Sequence, residues 1–376
     1  FVEAFAQQIG AWCDTHNFQH TGHMLSEETL SSQTNMVGSA MRSYEYMQAP
    51  GMDLLTERNR EYDTAKQVTS VARQFGRRWR LTETYGCTGW DFPFEGHKAL
   101  GDWQAALGIN LRAQHLCWYT MRGQAKRDYP ASTFFQSPWW EHYAAVEDYF
   151  ARIHAVMTRG AEVRDLLVIH PVESMWLHCK KGWSESATVA RYNRMLQELR
   201  DSLLCAQIDF DYGDEDILAR HGRVKRSGDT AHLAVARGTY KAVLVPPMLT
   251  MRGSTLALLA SFKAAGGLVV FAGPPPRMVN AEPSPAARTF AAQCPRTPAK
   301  GPRVPAAVEQ QCRRVRISDA SGAPVPPALY LLREDAETCY LFICNTSLSD
   351  AQMKAYSPMV RERKRAFPSV TVSGFA

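Results

Sequence analysis

Strand-length apolar runs alternate with helix-length amphipathic stretches through most of this chain, and that alternation limits the fold more than any other feature. It calls for parallel strands joined by helical crossovers. The stretch from Arg77 to Arg122 shows it most fully. A short strand, Trp79 to Thr82, ends on the carboxylate of Glu83. A loop of glycines and aromatics follows, Tyr85-Gly86-Cys87-Thr88-Gly89-Trp90-Asp91-Phe92-Pro93. Leu100, Trp103, Ala106 and Leu107 then recur at helical spacing, and Gly108 closes that helix. A second strand, Leu111 to Leu116, finishes in His115, Trp118 and Tyr119. Carboxylate, imidazole and indole groups therefore gather past successive strand ends, the rim where parallel β/α arrays bind ligands.

Upstream, Asn17 to Leu25 predicts a strand ending near Ser26-Glu27-Glu28, and Ser43 to Asp53 a second one that breaks at Pro50-Gly51. Asp63 or Thr64 caps a helix through Lys66, Val68, Val71, Ala72 and Phe75, stopped by Gly76. A last helix runs from about Pro138 to Met157. Four β-then-α units thus occupy roughly residues 1–160, whereas a closed eight-stranded barrel takes about 250 residues. The expectation is the C-terminal half of a (β/α)8 barrel, with the first half outside this chain. The start fits that reading. Phe1 is not an initiator Met, no leader is visible, and Phe1, Phe5, Ile9 and Trp12 share a helical face as interior residues do.

A second unit is expected over residues 161–275. Leu166 to His170 (LLVIH), Ile208 to Tyr212, Tyr240 to Val245 and Leu268 to Phe271 read as buried parallel strands. Helices Ala187 to Leu204 and Ser254 to Ala265 lie between them, which predicts an open flavodoxin-like α/β sheet. Residues 276–376 form the third unit. Pro274 to Pro305, rich in Pro, Ala and Arg, reads as a linker or irregular crossing. Ala328 to Arg333 and Cys339 to Cys344 then pair as a hairpin, the beginning of a β-sandwich.

Charge and cysteine usage narrow the partners. The chain has 376 residues, and 43 basic against 37 acidic ones leave +6, too mild and too evenly spread for a nucleic-acid surface. The run Arg313-Arg314-Val315-Arg316 reads as a solvated strand or loop face. No apolar stretch is long enough to span a bilayer. The nine cysteines are scattered and never spaced CxxC, so neither a disulfide framework nor a zinc site is indicated. A reducing, cytoplasmic location is the expectation.

Several segments resemble a known family: QHTGHMLSEETL, YEYMQAPGMD, TETYGCTGWDFPFEGHKALGDWQAALGINLRAQHLCWYTMRG and RDYPASTFFQSPWWEHY. They look like bacterial β/α-barrel glycoside hydrolases, above all the α-L-rhamnosidase-like enzymes of glycoside hydrolase family 106. In those proteins, as in the family 42 β-galactosidases, the barrel precedes a glutamine-amidotransferase-like α/β domain and then β domains. The order of units here is the same. The resemblance implies hydrolysis of a terminal sugar, and a carbohydrate substrate as the partner.

Glycoside cleavage takes two carboxyl groups, one a general acid and the other a nucleophile or base. Glu83 stands at the strand that would be seventh in a complete barrel, the usual place of the second carboxylate. The structural alternative is an ion pair with Arg112 or Arg122. By barrel analogy the acid would lie upstream of Phe1; within the chain its best candidate is Glu28 or Glu27, just past the strand holding His20 and His23. The structural alternative for those two is a solvated helix start, where acids are favourable. Glu45 and Asp53 are further candidates, and could instead hold a cation such as calcium. No other cofactor is implied. Trp90, Asp91, His115, Trp118 and Tyr119 would form a sugar-stacking and hydroxyl-binding wall, although each alone is more often a core residue. The α/β unit lacks a thiol after YKAVLV, where Pro246-Pro247-Met248 stand, so packing or homo-oligomer formation is its expected role. The competing hypothesis is a non-catalytic carbohydrate-binding or assembly module.

Overall fold

The computed structural model describes residues 1–56, 61–124, 129–228, 230–325, 328–346, 367 and 369–374. Helix α1 (Gln8–Thr15) leads to β1 (Thr21–His23), and α2 (Leu30–Met36) and α3 (Ala40–Tyr44) separate it from β2 (Ala49–Leu55). Then follow α4 (Tyr62–Gln74), β3 (Leu81–Gly86), α5 (Phe94–Ala106), β4 (Leu111–Gln114) and α6 (Ala144–Met157). The four strands pair in parallel and in chain order, β1-β2-β3-β4.

Three local expectations give way here. Ser43 and Tyr44 are helical, and β2 runs straight through Pro50-Gly51. A Cβ on Gly51 would stand 2.7 Å from the Gly22 carbonyl oxygen, so this glycine permits close strand approach rather than ending a strand. Glu83 lies inside β3, opposite Asp53, and not at the strand's end. At the N-terminus, α1 and the turn before it pack through Ala6, Gly10 and Cys13. A Cβ on Gly10 would stand 2.3 Å from the Tyr46 carbonyl oxygen, so the small residues face inward. Phe1, Phe5 and Trp12 are left exposed.

The chain continues through β5 (Ala161–Glu162), β6 (Leu166–His170), α7 (Val172–Trp176), α8 (Ala187–Cys205), β7 (Phe210–Asp214) and α9 (Glu215–His221). An antiparallel excursion follows, β8 (Gly222–Ser227), β9 (Thr230–Val235) and β10 (Gly238–Tyr240). Next come β11 (Ala242–Val245), β12 (Thr250–Met251), α10 (Gly253–Ala264), β13 (Leu268–Ala272), β14 (Met278–Val279) and β15 (Glu282–Pro283). Helix α11 (Ala286–Ala291), β16 (Arg296–Thr297), α12 (Arg303–Ala306) and α13 (Glu309–Cys312) complete this part. Five strands form a parallel sheet in the order β16-β13-β11-β6-β7. Read from its β7 edge and numbered along the chain, that order is second, first, third, fourth, fifth, the flavodoxin-like arrangement.

Pro274 to Pro305 is therefore no linker. It supplies the fifth strand, and Phe290, Ala291 and Val304 are buried in the same core. Two of its prolines stand at helix N-termini, Pro285 before α11 and Pro302 before α12, where proline is tolerated. The last strands are β17 (Val315–Asp319), β18 (Ala328–Glu334), β19 (Cys339–Asn345) and β20 (Val370–Gly374). The expected β18–β19 hairpin is present, and β5 pairs on the other side of β18. In the basic run, Arg313 and Arg316 bind Glu309 while Arg314 binds Asp165, around the buried Val315.

Helix α4 lies between the two parallel sheets, buried along nearly its whole length. Val68 and Val71 join one hydrophobic core that includes Leu54 of β2 and Phe210 and Tyr212 of β7. Most of its polar residues are buried too, and its charged ones are paired. Lys66 Nζ binds Asp209 at 2.7 Å, and Arg73 Nη1 binds Asp211 at 2.7 Å. Asp63 accepts from Tyr212 and Arg200, both at 2.6 Å. Arg164 bridges Asp209, Asp211 and Glu162, while Arg80 and Arg333 also hold Glu162.

Burial alone would raise the Glu162 carboxyl, but Arg80, Arg164, Arg333 and Arg73 together bring it down to about 2. Asp209 is likewise held at about 2 by Arg164 and Lys66 against burial. Carboxylates depressed on folding stabilise the fold above their ordinary pKa and lose that contribution as pH falls through the folded value. Urea unfolding should therefore show stability falling as pH drops from about 4.5 toward about 2. Glu162→Gln should flatten part of that slope and cost roughly 3–5 kcal/mol at neutral pH, because it leaves buried arginines short of a counter-charge. A variant with the wild-type slope would exclude the ion-paired carboxylate.

Candidate active site

Alternation along β2 and β3 separates two chemistries. Met52, Leu54, Thr82 and Thr84 point at the helices and are fully buried, with Gln104 of α5 donating to Thr82 Oγ1 at 2.8 Å. The opposite face carries Asp53 and Glu83 in register. It stays half-open, and the Glu83 side chain is 31 % exposed.

Around Glu83 stand two imidazoles and one further acid. His23 Nε2, at the end of β1, is 3.3 Å from Glu83 Oε2. His115 Nε2, directly after β4, is 3.7 Å from Glu83 Oε1. Ligating atoms of His23, Asp53 and Glu83 lie within 4.8 Å of one another. His23 Nδ1 is 2.7 Å from the Met24 carbonyl oxygen. That carbonyl can only accept, so Nδ1 carries a proton and Nε2 is left facing the acids. Burial works against a charged His23, but the Met24 carbonyl and the charges of Asp53, Glu83 and Glu27 raise its pKa above 6.5. Asp53 is raised as well, first by burial and then by the Glu83 charge. Asp53 Oδ1 and His115 Nδ1 are buried without a hydrogen-bond partner among the described residues. The arrangement can hold a proton or a cation between paired acids, and can present Glu83 to a ligand.

The residues singled out from the sequence divide accordingly. Glu83, His23 and His115 come together. His20 does not join them: it precedes β1, and burial lowers its pKa. Glu28 does not join them either. The chain leaves β1, turns at Ser26 with φ of 60°, and enters α2 through the Thr29 cap, which carries Glu28 into the cap turn. Its neighbour Glu27 is buried, accepts from the Tyr44 hydroxyl at 2.8 Å, and acts electrostatically on His23. Glu45 is taken by Arg220 and His221. Arg112 pairs with Glu147 rather than Glu83. Asp53, ranked behind Glu28 in the sequence, occupies the place next to Glu83. The signal for it was its position on a strand adjacent to Glu83, but the register that makes them neighbours is not written locally.

Trp90 and Trp118 meet edge to face at 5.2 Å, both against buried Phe134, at 5.9 and 5.7 Å. Phe134 went unrecognised because it lies in a stretch without strand or helix periodicity. Asp91 is exposed in the loop beside Trp90. Tyr119, expected in the same wall, is 94 % exposed and makes no ring contact with Trp90 or Trp118 among the described residues. Tyr129 stands edge-on to His115 at 5.5 Å instead.

No family model and no curated protein sequence matches this chain. Solved structures do. A rhamnosidase from Novosphingobium sp. PP1Y superposes with a TM-score of 0.60 at 15 % identity, over 89 % of this chain and 32 % of its own. An exo-carrageenase GH42 from Bacteroides ovatus gives 0.56 at 8 % identity, over 88 % of this chain and 47 % of its own. Gan42B, a GH42 β-galactosidase from G. stearothermophilus, gives 0.51 at 15 % identity, over 72 % and 39 %. The likeness is one of fold. The chain is a mixed α/β protein that spans between about a third and a half of the length of these neighbours. No helix among its described residues is long and apolar enough to cross a membrane.

The cluster has a direct spectroscopic consequence. In an NMR titration His23 should show a pKa above 6.5, and Glu83→Gln should lower it by removing one of the charges that favour the imidazolium. An unchanged His23 titration in that variant would show that the two groups are not coupled.

Proposed function

We propose that this chain belongs to a glycoside hydrolase, α-L-rhamnosidase-like, and that its first sheet is the C-terminal half of a (β/α)8 barrel whose open face carries Glu83. The observation behind this is the cluster of Glu83, Asp53, His23 and His115 on the half-open face, in a fold like that of a rhamnosidase.

Glu83 acts as the nucleophile, or as the base for a water. Paired glycosidase carboxyl groups stand about 5–5.5 Å apart in retaining enzymes and about 6.5–9.5 Å apart in inverting ones, on either side of the scissile bond. Asp53 lies beside Glu83 on the neighbouring strand, with ligating atoms inside 4.8 Å, and so cannot flank the bond opposite it. Its role is to set the charge around Glu83 together with His23. The general acid then belongs to a strand facing Glu83 across the barrel. His23, Asp53 and Glu83 would also hold a divalent cation, which would polarise a sugar hydroxyl. One nitrogen with carboxylate oxygens fits a borderline cation such as manganese or zinc better than calcium, which takes six to eight oxygens. Trp90 and Trp118 offer an aromatic wall for a sugar ring.

A β-galactosidase-like activity is the second reading, favoured by the fold likeness to GH42 structures. A panel of aryl rhamnosides, galactosides, arabinosides and fucosides tested on the full-length gene product separates the two. Glu83→Gln should lower turnover of the accepted substrate by about 10²–10⁴-fold while the protein stays folded. If no glycoside is cleaved, a binding module is the better description; if the variant keeps full turnover, Glu83 is not the reacting carboxylate.

A further inference from the structure

Two clefts open beyond the carboxyl ends of the five-stranded sheet, among the connections that follow β6, β11 and β13. Sheets of this strand order bind ligands there, because the connections after the first and third strands diverge to opposite faces and leave a crevice. In the first cleft, of about 910 Å³, Arg252 is already neutralised by Glu173 and Asp216, each at 2.8 Å.

The second cleft, of about 790 Å³, has a different character. Met248, Pro274 and the ring of Tyr192 give it an apolar floor, and Arg191 and Arg277 stand at its wall. Neither guanidinium has a carboxylate partner among the described residues, whereas Arg42, Arg73, Arg164 and Arg200 each have one. Arg191 comes from α8 and Arg277 from the segment after β13, so separate elements bring two unneutralised cations to one hollow. Burial raises the Tyr192 hydroxyl, and the charges of Arg191 and Arg277 each oppose that rise. Thr188, in the first turn of α8, also lines the cleft. The N-terminus of this 19-residue helix adds positive potential there. The His178 ring lies 5.4 Å from that of Tyr192; burial and then Lys180 lower its pKa, so at neutral pH it is an uncharged planar neighbour.

We propose that this cleft binds a small organic anion, its phosphate or carboxylate held between Arg191 and Arg277 and its planar apolar body lying against Tyr192 and Met248. Two planar forks suit an oxyanion, and the apolar floor makes a bare inorganic ion a poor match. The site is separate from the Glu83 face and does not depend on the chemistry assigned there.

Calorimetric titration of the full chain with phenyl phosphate and with benzoate tests this, with inorganic phosphate and phenol as controls. One aryl anion should bind saturably at one site, at least about tenfold tighter than either control. Its identity distinguishes a phosphate from a carboxylate ligand. The double variant Arg191→Gln/Arg277→Gln should weaken that binding at least about tenfold, while Arg194→Gln, exposed on the same helix, should leave it unchanged. Should the double variant fail to fold, wild-type binding must still weaken as salt is raised, since the charges are exposed. The proposal is overturned if neither aryl anion binds saturably, if phenol binds as tightly, or if binding ignores both the arginines and salt.

Discussion

Five cations and three carboxylates meet between the two parallel sheets, and the rest of the architecture depends on their complete pairing. Lys66 and Arg73 on α4, Arg80 before β3, Arg164 before β6 and Arg333 on β18 surround Glu162, Asp209 and Asp211. Removing a charge from water costs several kcal/mol, and only close pairing with further hydrogen bonds offsets it. An apolar interface tolerates sliding, whereas this one has a single arrangement in which each charge is met. The arrangement also fixes β3. Arg80, anchored on Glu162, stands immediately before the strand that carries Glu83.

The first sheet distributes its burdens unequally. Its helix-covered face is dry and conventional, with Met52, Leu54, Thr82 and Thr84 fully buried. Its other face sets Asp53 beside Glu83 with His23 and His115 around them, in an environment that already raises Asp53. Two acids in register on adjacent strands repel each other, and only the imidazoles and partial solvation relieve this. Packing does not explain such a concentration. Local rules are broken in this way chiefly where a protein binds or reacts. The solved structures this chain resembles in fold include a rhamnosidase and a β-galactosidase, but a fold carries no chemistry by itself, and that of this face has to be argued from Glu83 and its neighbours.

Helix α4 shows how the same residues read differently alone and in place. Its Lys66, Gln67, Ser70, Arg73 and Gln74 have the look of a solvated helical face. All are buried or nearly so: Asp209 just before β7 and Asp211 and the Tyr212 backbone on it meet Lys66, Ser70, Arg73 and Gln74, while Gln67 donates to the Glu27 carbonyl. Residues 274–305 are a similar case. Proline and alanine there suggest an open linker, yet they cap short helices and fill the core beside β13.

The amino-acid sequence by itself determined the alternation of strand and helix, the buried runs Leu166–His170, Ala242–Val245 and Leu268–Ala272, the long helix α8 and the β18–β19 hairpin. These follow from hydrophobic period and turn residues, which act over a few positions. It also marked Glu83, His23 and His115 as chemistry-bearing groups near strand ends. Only the tertiary structure decided that Asp53 and not Glu28 stands beside Glu83, and that α4 is buried on its polar side. Those outcomes turn on strand register and on which layer docks against which. Both are set by pairings between residues far apart in the chain, and no local pattern records them.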